Sequence, residues 1–224
     1  SGFSQGLFQL ADAHGCELIG GDTTQGPLNI AITVMGEVPA GQAILRSGAQ
    51  AGDDLYVSGH LGDARLALEA FRGAVSLPQA VFEAARLRME TPTPRIALGQ
   101  ALRGIAHAMA DISDGLLGDL GHILKASHVG AEIDLSATSD LMQTAHLWSC
   151  PSDLALTCIL SGGDDYELVF CAPPSASASV QAAAQASGTR VTRIGRITST
   201  PTLVLLDAQG QTVHSRFSSF DHFA

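Results

Sequence analysis

Strand-forming and helix-forming segments intermix from one end of this chain to the other. That order restricts the fold most, because each element must bury an apolar face against a neighbouring layer. Phe3, Leu7, Leu10 and Ala11 recur at helical spacing, and short strands are predicted over 17–19 and, from an apolar run rich in β-branched residues, over 28–38. Further on, the pattern predicts strands over 54–58, 110–112, 131–135, 166–172, 190–197 and 203–207. Helices are predicted over 62–71, 80–88, 96–109, from Leu116 to Leu124, over 153–160 and over 175–187. A layered α/β domain is the expected outcome.

Three glycine-acid turns punctuate this order: Gly20-Gly21-Asp22-Thr23-Thr24, Asp111-Ile112-Ser113-Asp114-Gly115 and Ser161-Gly162-Gly163-Asp164-Asp165. Glycine lets backbone approach phosphate oxygens closely, but carboxylates in the same turn repel those oxygens unless a divalent cation lies between them. Together the turns point to a metal-bridged nucleotide site and to phosphoryl transfer with magnesium. Each turn also has a plainer reading. Ser113 or Asp114 can simply cap the helix that follows, Asp22 can close an Asx turn, Arg46 can be a solvated surface arginine, and Asp164 and Asp165 can be loop carboxylates. In the functional reading the helix beginning after Asp114 donates its N-terminal amides to phosphate, while Asp111 and Asp114 hold the metal.

Composition removes several function classes. With a formal net charge of −10, and its 12 Lys and Arg residues scattered, the chain is a poor partner for nucleic acid. No stretch of about eighteen uninterrupted apolar residues suggests a membrane span, and the N-terminus lacks a signal-peptide pattern. Cys16, Cys150, Cys158 and Cys171 show no C-x-x-C spacing, so reduced buried thiols in a cytoplasmic protein are expected. The chain starts Ser1-Gly2-Phe3 without methionine and runs straight into a helical pattern, as expected of a piece of a longer protein.

The strings are not independent of one another. The three turns, together with Leu45-Arg46-Ser47-Gly48-Ala49, Gly52-Asp53, Leu116, Asp119-Leu120, Tyr166-Glu167-Leu168 and Phe220-Asp221-His222-Phe223, occur in an order that resembles the thiamine-monophosphate kinase family. The resemblance spans nearly the whole chain. It implies transfer of the ATP γ-phosphoryl group to thiamine monophosphate without a covalent enzyme intermediate, with Mg2+ required and ATP as co-substrate. It further implies that Asp22, Asp111 and Asp114 bind magnesium and that Asp111 and Asp114 are the catalytic pair. Gly21, Asp22, Arg46 and Ser113 would contact ATP, and Asp164 and Phe220 would line the thiamine pocket. The family usually has glutamate where Asp164 stands, and often tyrosine or tryptophan near Phe220.

The fold implied is of the α/β (α+β) class. Residues 53–224 would form a three-layer α-β-α C-terminal domain with a mixed sheet, and 1–52 the remnant of a ferredoxin-like ATP-binding domain. Family members carry a further N-terminal stretch with more aspartate turns and a dimer-forming region, so a homodimer is expected of the full-length protein and little or no activity of this chain alone. Two other readings stay open. One is an ATP-dependent synthetase of the same superfamily, similar to aminoimidazole ribonucleotide or selenophosphate synthetase, and the other is a non-catalytic module that binds nucleotide or metal.

Overall fold

The computed structural model describes residues 2–213, and the chain divides after Ala40 into two compact units, each described by itself. In the first, helix α1 (Gly2–Ala13) ends where Gly15 turns left-handed (φ 65°) and Cys16 donates to the Ala11 carbonyl at 2.8 Å. The strands expected over 17–19 and 28–38 do not form. Apolar β-branched residues supply strand preference but not a ladder partner, and backbone pairs only where a second strand lies alongside. Leu28 and Val34 are accordingly exposed.

The second unit runs β1 (Asp54–Ser58), α2 (Asp63–Phe71), α3 (Gln79–Glu90), α4 (Ile96–Ala101), β2 (Ala108–Ile112), α5 (Leu116–Ser127), β3 (Gly130–Asp134), α6 (Ser152–Ser161), β4 (Glu167–Ala172), α7 (Ser177–Ser187), β5 (Val191–Thr198), β6 (Leu203–Leu206) and β7 (Thr212–Val213). The strands form one mixed sheet in the order β2-β4-β1-β5-β3-β6-β7, antiparallel throughout except for the parallel β3–β6 pair. Both faces are covered, which is why β1 is buried at every position. Leu55 and Val57 point to the side packed by α2, α3, α5 and α6, whereas Tyr56 points to the side packed by α4 and α7. On that second side Tyr56 stacks on Phe170 of β4 with ring centroids 5.3 Å apart. The α-β-α layering is thus formed by residues 54–213.

Of the apolar stripe expected in Leu116, Leu117, Leu120, Ile123 and Leu124 of α5, all are buried except Leu117, which is half-buried. The helix expected over 96–109 is shorter, because α4 stops at Ala101 and the chain re-enters the sheet, with Ala108 opposite Cys171 and Met109 opposite Phe170. A ladder beside β4 outweighs helical spacing there. Among the described residues no helix is long and apolar enough to cross a membrane.

Candidate active site

Strand β2 ends in Asp111 and Ile112, the chain turns through Ser113, Asp114 and Gly115, and α5 begins at Leu116. A helix start leaves amides without intrahelical partners. Here Asp119, one turn into α5, supplies the acceptor: its Oδ2 receives the amides of Ser113, Asp114 and Gly115 at 3.0, 3.1 and 3.2 Å. Asp119 is buried, and that burial, with Asp114 and Asp111 nearby, pushes its carboxyl above the usual range despite the amides that favour its anion. The amides of Ser113, Asp114 and Gly115, just before the helix, are thus taken by Asp119, and the side chains carried by the turn are Asp111, exposed, and Ser113 and Asp114, half-buried.

The third turn is built against the second. Asp164 donates its amide to the Ser113 carbonyl at 2.9 Å and Tyr166 donates to the Ile112 carbonyl at 3.0 Å, so the β2–β4 pairing continues past the sheet into both turns. Glycine is required at the contact. A Cβ on Gly163 would run into the Ser113 carbonyl oxygen, and one on Gly115, whose φ is 121°, would meet the Ser161 backbone at 3.0 Å. Asp164 and Tyr166 both adopt left-handed backbone, φ 68° and 52°, a conformation that non-glycine residues keep only when their surroundings hold it.

The adjacent acids of this turn have opposite fates. Asp164 is exposed beside Ser113, whereas Asp165 is buried and accepts the amides of Gly62 at 2.7 Å and Ala64 at 3.4 Å, at the start of α2. Burial pushes the Asp165 carboxyl up to about 7. One residue on, the wholly buried Glu167 takes a bidentate fork from Arg95, Nε to Oε2 at 2.7 Å and Nη2 to Oε1 at 2.6 Å. Arg88 donates to the same carboxylate at 3.1 Å and the Ser58 hydroxyl at 2.6 Å. The strained turn thus sits on an ion cluster that anchors the start of β4.

Asp111, Ser113, Asp114 and Asp164 are brought onto one edge of the sheet, and sequence reasoning missed two of their neighbours. Asp119 is one. Tyr166 is the other: exposed beside the cluster, its hydroxyl is raised above the ordinary range by burial and then by the Asp164, Asp114 and Asp111 carboxylates. Its position between two acids in the third turn was the available signal.

Arg46 lies in a loop held by its backbone. The Ser127 hydroxyl donates to the Arg46 carbonyl at 3.0 Å and accepts the Gly48 and Ala49 amides at 3.1 Å, while the Leu45 carbonyl accepts the Met109 amide at 3.1 Å. The loop is thus held at Ser127, the last residue of α5, and at Met109 of β2, two residues before Asp111. Gly21 and Asp22 belong to the first unit, where Asp22 Oδ1 accepts the Thr23 amide at 2.7 Å. Phe220 lies outside the described residues.

Among the described residues no three His, Cys, Asp or Glu side chains converge into a metal cage. The donor set on the edge still fits magnesium, which takes one or two protein carboxylates and completes its octahedron with water and substrate phosphates.

Residues 50–207 match the family model described as AIR synthase related protein, C-terminal domain. The chain is similar to the thiamine-monophosphate kinase of Salmonella typhimurium, 41% identical over 99% of the chain and 68% of that protein. The crystal structure of thiamine-monophosphate kinase from Stenotrophomonas maltophilia superposes with a TM-score of 0.83 at 43% identity, covering 94% of this chain and 67% of that one. A structure of AaThiL complexed with AMPPCP and TMP superposes with a TM-score of 0.60 at 28% identity, over 80% of this chain and 54% of that one.

Proposed function

Because the chain belongs to the thiamine-monophosphate kinase family, we propose that it serves the Mg2+- and ATP-dependent phosphorylation of thiamine monophosphate to thiamine diphosphate, by direct transfer of the γ-phosphoryl group. The observation that carries this reading is the interlocked pair of turns, which holds Asp111, Ser113, Asp114 and Asp164 on one edge with the Ser113, Asp114 and Gly115 amides occupied by Asp119. Such an edge repels bare phosphate and suits phosphate that arrives with cations. Magnesium, when bound there, supplies charge neutralisation between the polyphosphate and the acceptor phosphate.

The protein's own work is to position the two substrates. Asp111 and Asp114 hold the metal-bearing end, and the Ser113 hydroxyl hydrogen-bonds a phosphate oxygen. Asp164, steadied by the hydrogen bond from its amide to the Ser113 carbonyl, faces the cationic ring of thiamine, with Tyr166 beside it. No side chain has to create the nucleophile. The acceptor is a phosphate whose second ionisation lies near 6, so its attacking oxygen is already anionic at neutral pH.

In this reading Gly21, Asp22 and Arg46 serve ATP and Phe220 serves thiamine, the roles the family resemblance gives them. Residues 1–52 then form the tail of the ATP-binding domain and 53–224 the C-terminal domain. The full-length protein is a cytoplasmic homodimer, and the present chain alone turns over little. The test measures thiamine diphosphate formation from ATP and thiamine monophosphate by the full-length protein and by its Asp111→Asn and Asp114→Asn variants. Loss of turnover by about 10²–10³-fold in each is expected, the size seen when a group stabilising transition-state charge is removed. ATP hydrolysis indifferent to thiamine monophosphate would instead favour a synthetase.

A further inference from the structure

An anion seat at a helix start is ordinarily where a phosphate binds, since several amides converge there with the positive end of the helix dipole. Just ahead of α5 a buried carboxylate takes part of such a seat. One oxygen of Asp119 takes three consecutive amides at 3.0–3.2 Å, while the Asp119 amide itself closes the first helical turn on the Gly115 carbonyl at 3.0 Å. Asp119 is thus tied by its side chain to Ser113, Asp114 and Gly115 and by its backbone to Gly115, and it is itself buried.

We propose that Asp119 is a positioning residue for phosphoryl transfer: by holding the three amides of the Ser113–Gly115 turn it fixes where the Asp111 and Asp114 carboxylates and the Ser113 hydroxyl point. The inference rests on the kinase reading above. It assigns a task to a carboxylate that would otherwise pass as a helix cap. A cap satisfies amides for stability alone; here the capped amides are those of the site residues themselves. The third turn transmits the same order, because the Ser113 carbonyl that accepts the Asp164 amide belongs to the residue whose own amide Asp119 holds.

The test compares the full-length protein with Asp119→Asn, which keeps shape and one acceptor oxygen, and Asp119→Ala, which keeps neither. Four readouts are taken: thermal melting, the amide chemical shifts and exchange rates of Ser113, Asp114 and Gly115, the kcat and KM for each substrate, and the magnesium concentration for half-maximal rate. In Asp119→Asn the expected result is a folded protein with upfield-shifted, faster-exchanging amides at these three positions. Its kcat should fall by about 10–100-fold, on the scale that small misplacements cost, with half-maximal magnesium raised several-fold and KM for thiamine monophosphate changed much less. Asp119→Ala should lie further along each axis.

Wild-type kcat and wild-type magnesium dependence in Asp119→Asn would overturn the proposal, as would a loss that matches only the unfolded fraction. Failure of the kinase reading is separately visible, as a wild-type protein that makes no thiamine diphosphate. In that case the amide readout and calorimetric binding of magnesium with a non-hydrolysable ATP analogue, wild type against Asp119→Asn, still decide whether Asp119 orders the turn for ligand.

Discussion

Glu167→Gln is the sharpest perturbation of the frame beneath the site. Glu167 has no exposed surface and receives Arg95 as a fork at 2.6 and 2.7 Å, Arg88 at 3.1 Å and Ser58 at 2.6 Å, while both arginine side chains are only 16% exposed. Glutamine preserves the volume but removes the negative charge, and turns one acceptor into an NH2 donor facing arginine donors. Two cations are then left in the interior without their counter-charge. Arg88 has little in reserve, since its Nε already lacks a hydrogen-bond partner among the described residues.

Breaking such a buried pair costs about 3–5 kcal/mol. At roughly 2–4 °C per kcal/mol for a chain of this size, the midpoint should fall by about 6–20 °C. Thermal melts followed by circular dichroism measure it. Adding Arg95→Met to the variant should recover part of the loss, because one orphaned cation is gone and an apolar side chain of similar length fills the space. A Glu167→Gln protein within about 1 kcal/mol of wild type, or a double variant no better than the single, would refute the assignment of this cluster as charge compensation in the interior.

The Asp165 carboxyl, raised by burial to about 7 from the usual 3.8, carries a pH signature. A raised acid favours the folded state fully below about pH 4 and loses that contribution as pH climbs through about 7, so between pH 5 and 8 wild type should lose about 2–3 kcal/mol relative to Asp165→Asn. Urea melts of both proteins at the two pH values check this, and parallel pH dependence would count against it. Gly163→Ala puts a Cβ into the Ser113 carbonyl oxygen and should cost about 1–3 kcal/mol and much of the kinase activity. Gly121→Ala in α5, where nothing lies within 4 Å of the added carbon, should be neutral or stabilising by up to about 1 kcal/mol in the same melts.

The layering was legible because it rests on short-range periodicity. Leu116, Leu120, Ile123 and Leu124 recur at helical spacing and are buried together, and the β1 and β4 runs read as strands, which the structure then covers on both faces. The acidic turns were legible as strings, since glycine and carboxylate types stand out against the surrounding apolar runs. The expected strand over 28–38 did not appear, because a strand exists through a partner that no local pattern supplies.

By itself the sequence determined which segments bear chemistry, and it ordered them into a recognisable kinase pattern. Tertiary structure decided what each acid does. Asp164 and Asp165 are neighbours in the chain with the same side chain, yet one faces solvent beside Ser113 and the other is buried against amides 103 and 101 residues away. It likewise gave the Ser113, Asp114 and Gly115 amides to Asp119, set Tyr166 beside the carboxylates, and tied the Arg46 carbonyl to Ser127 at the end of α5. The physical reason is common to all four. Hydrogen bonds and burial between residues distant in the chain are fixed only when the layers close, and they then decide whether a carboxylate meets water, an amide or a neighbouring charge.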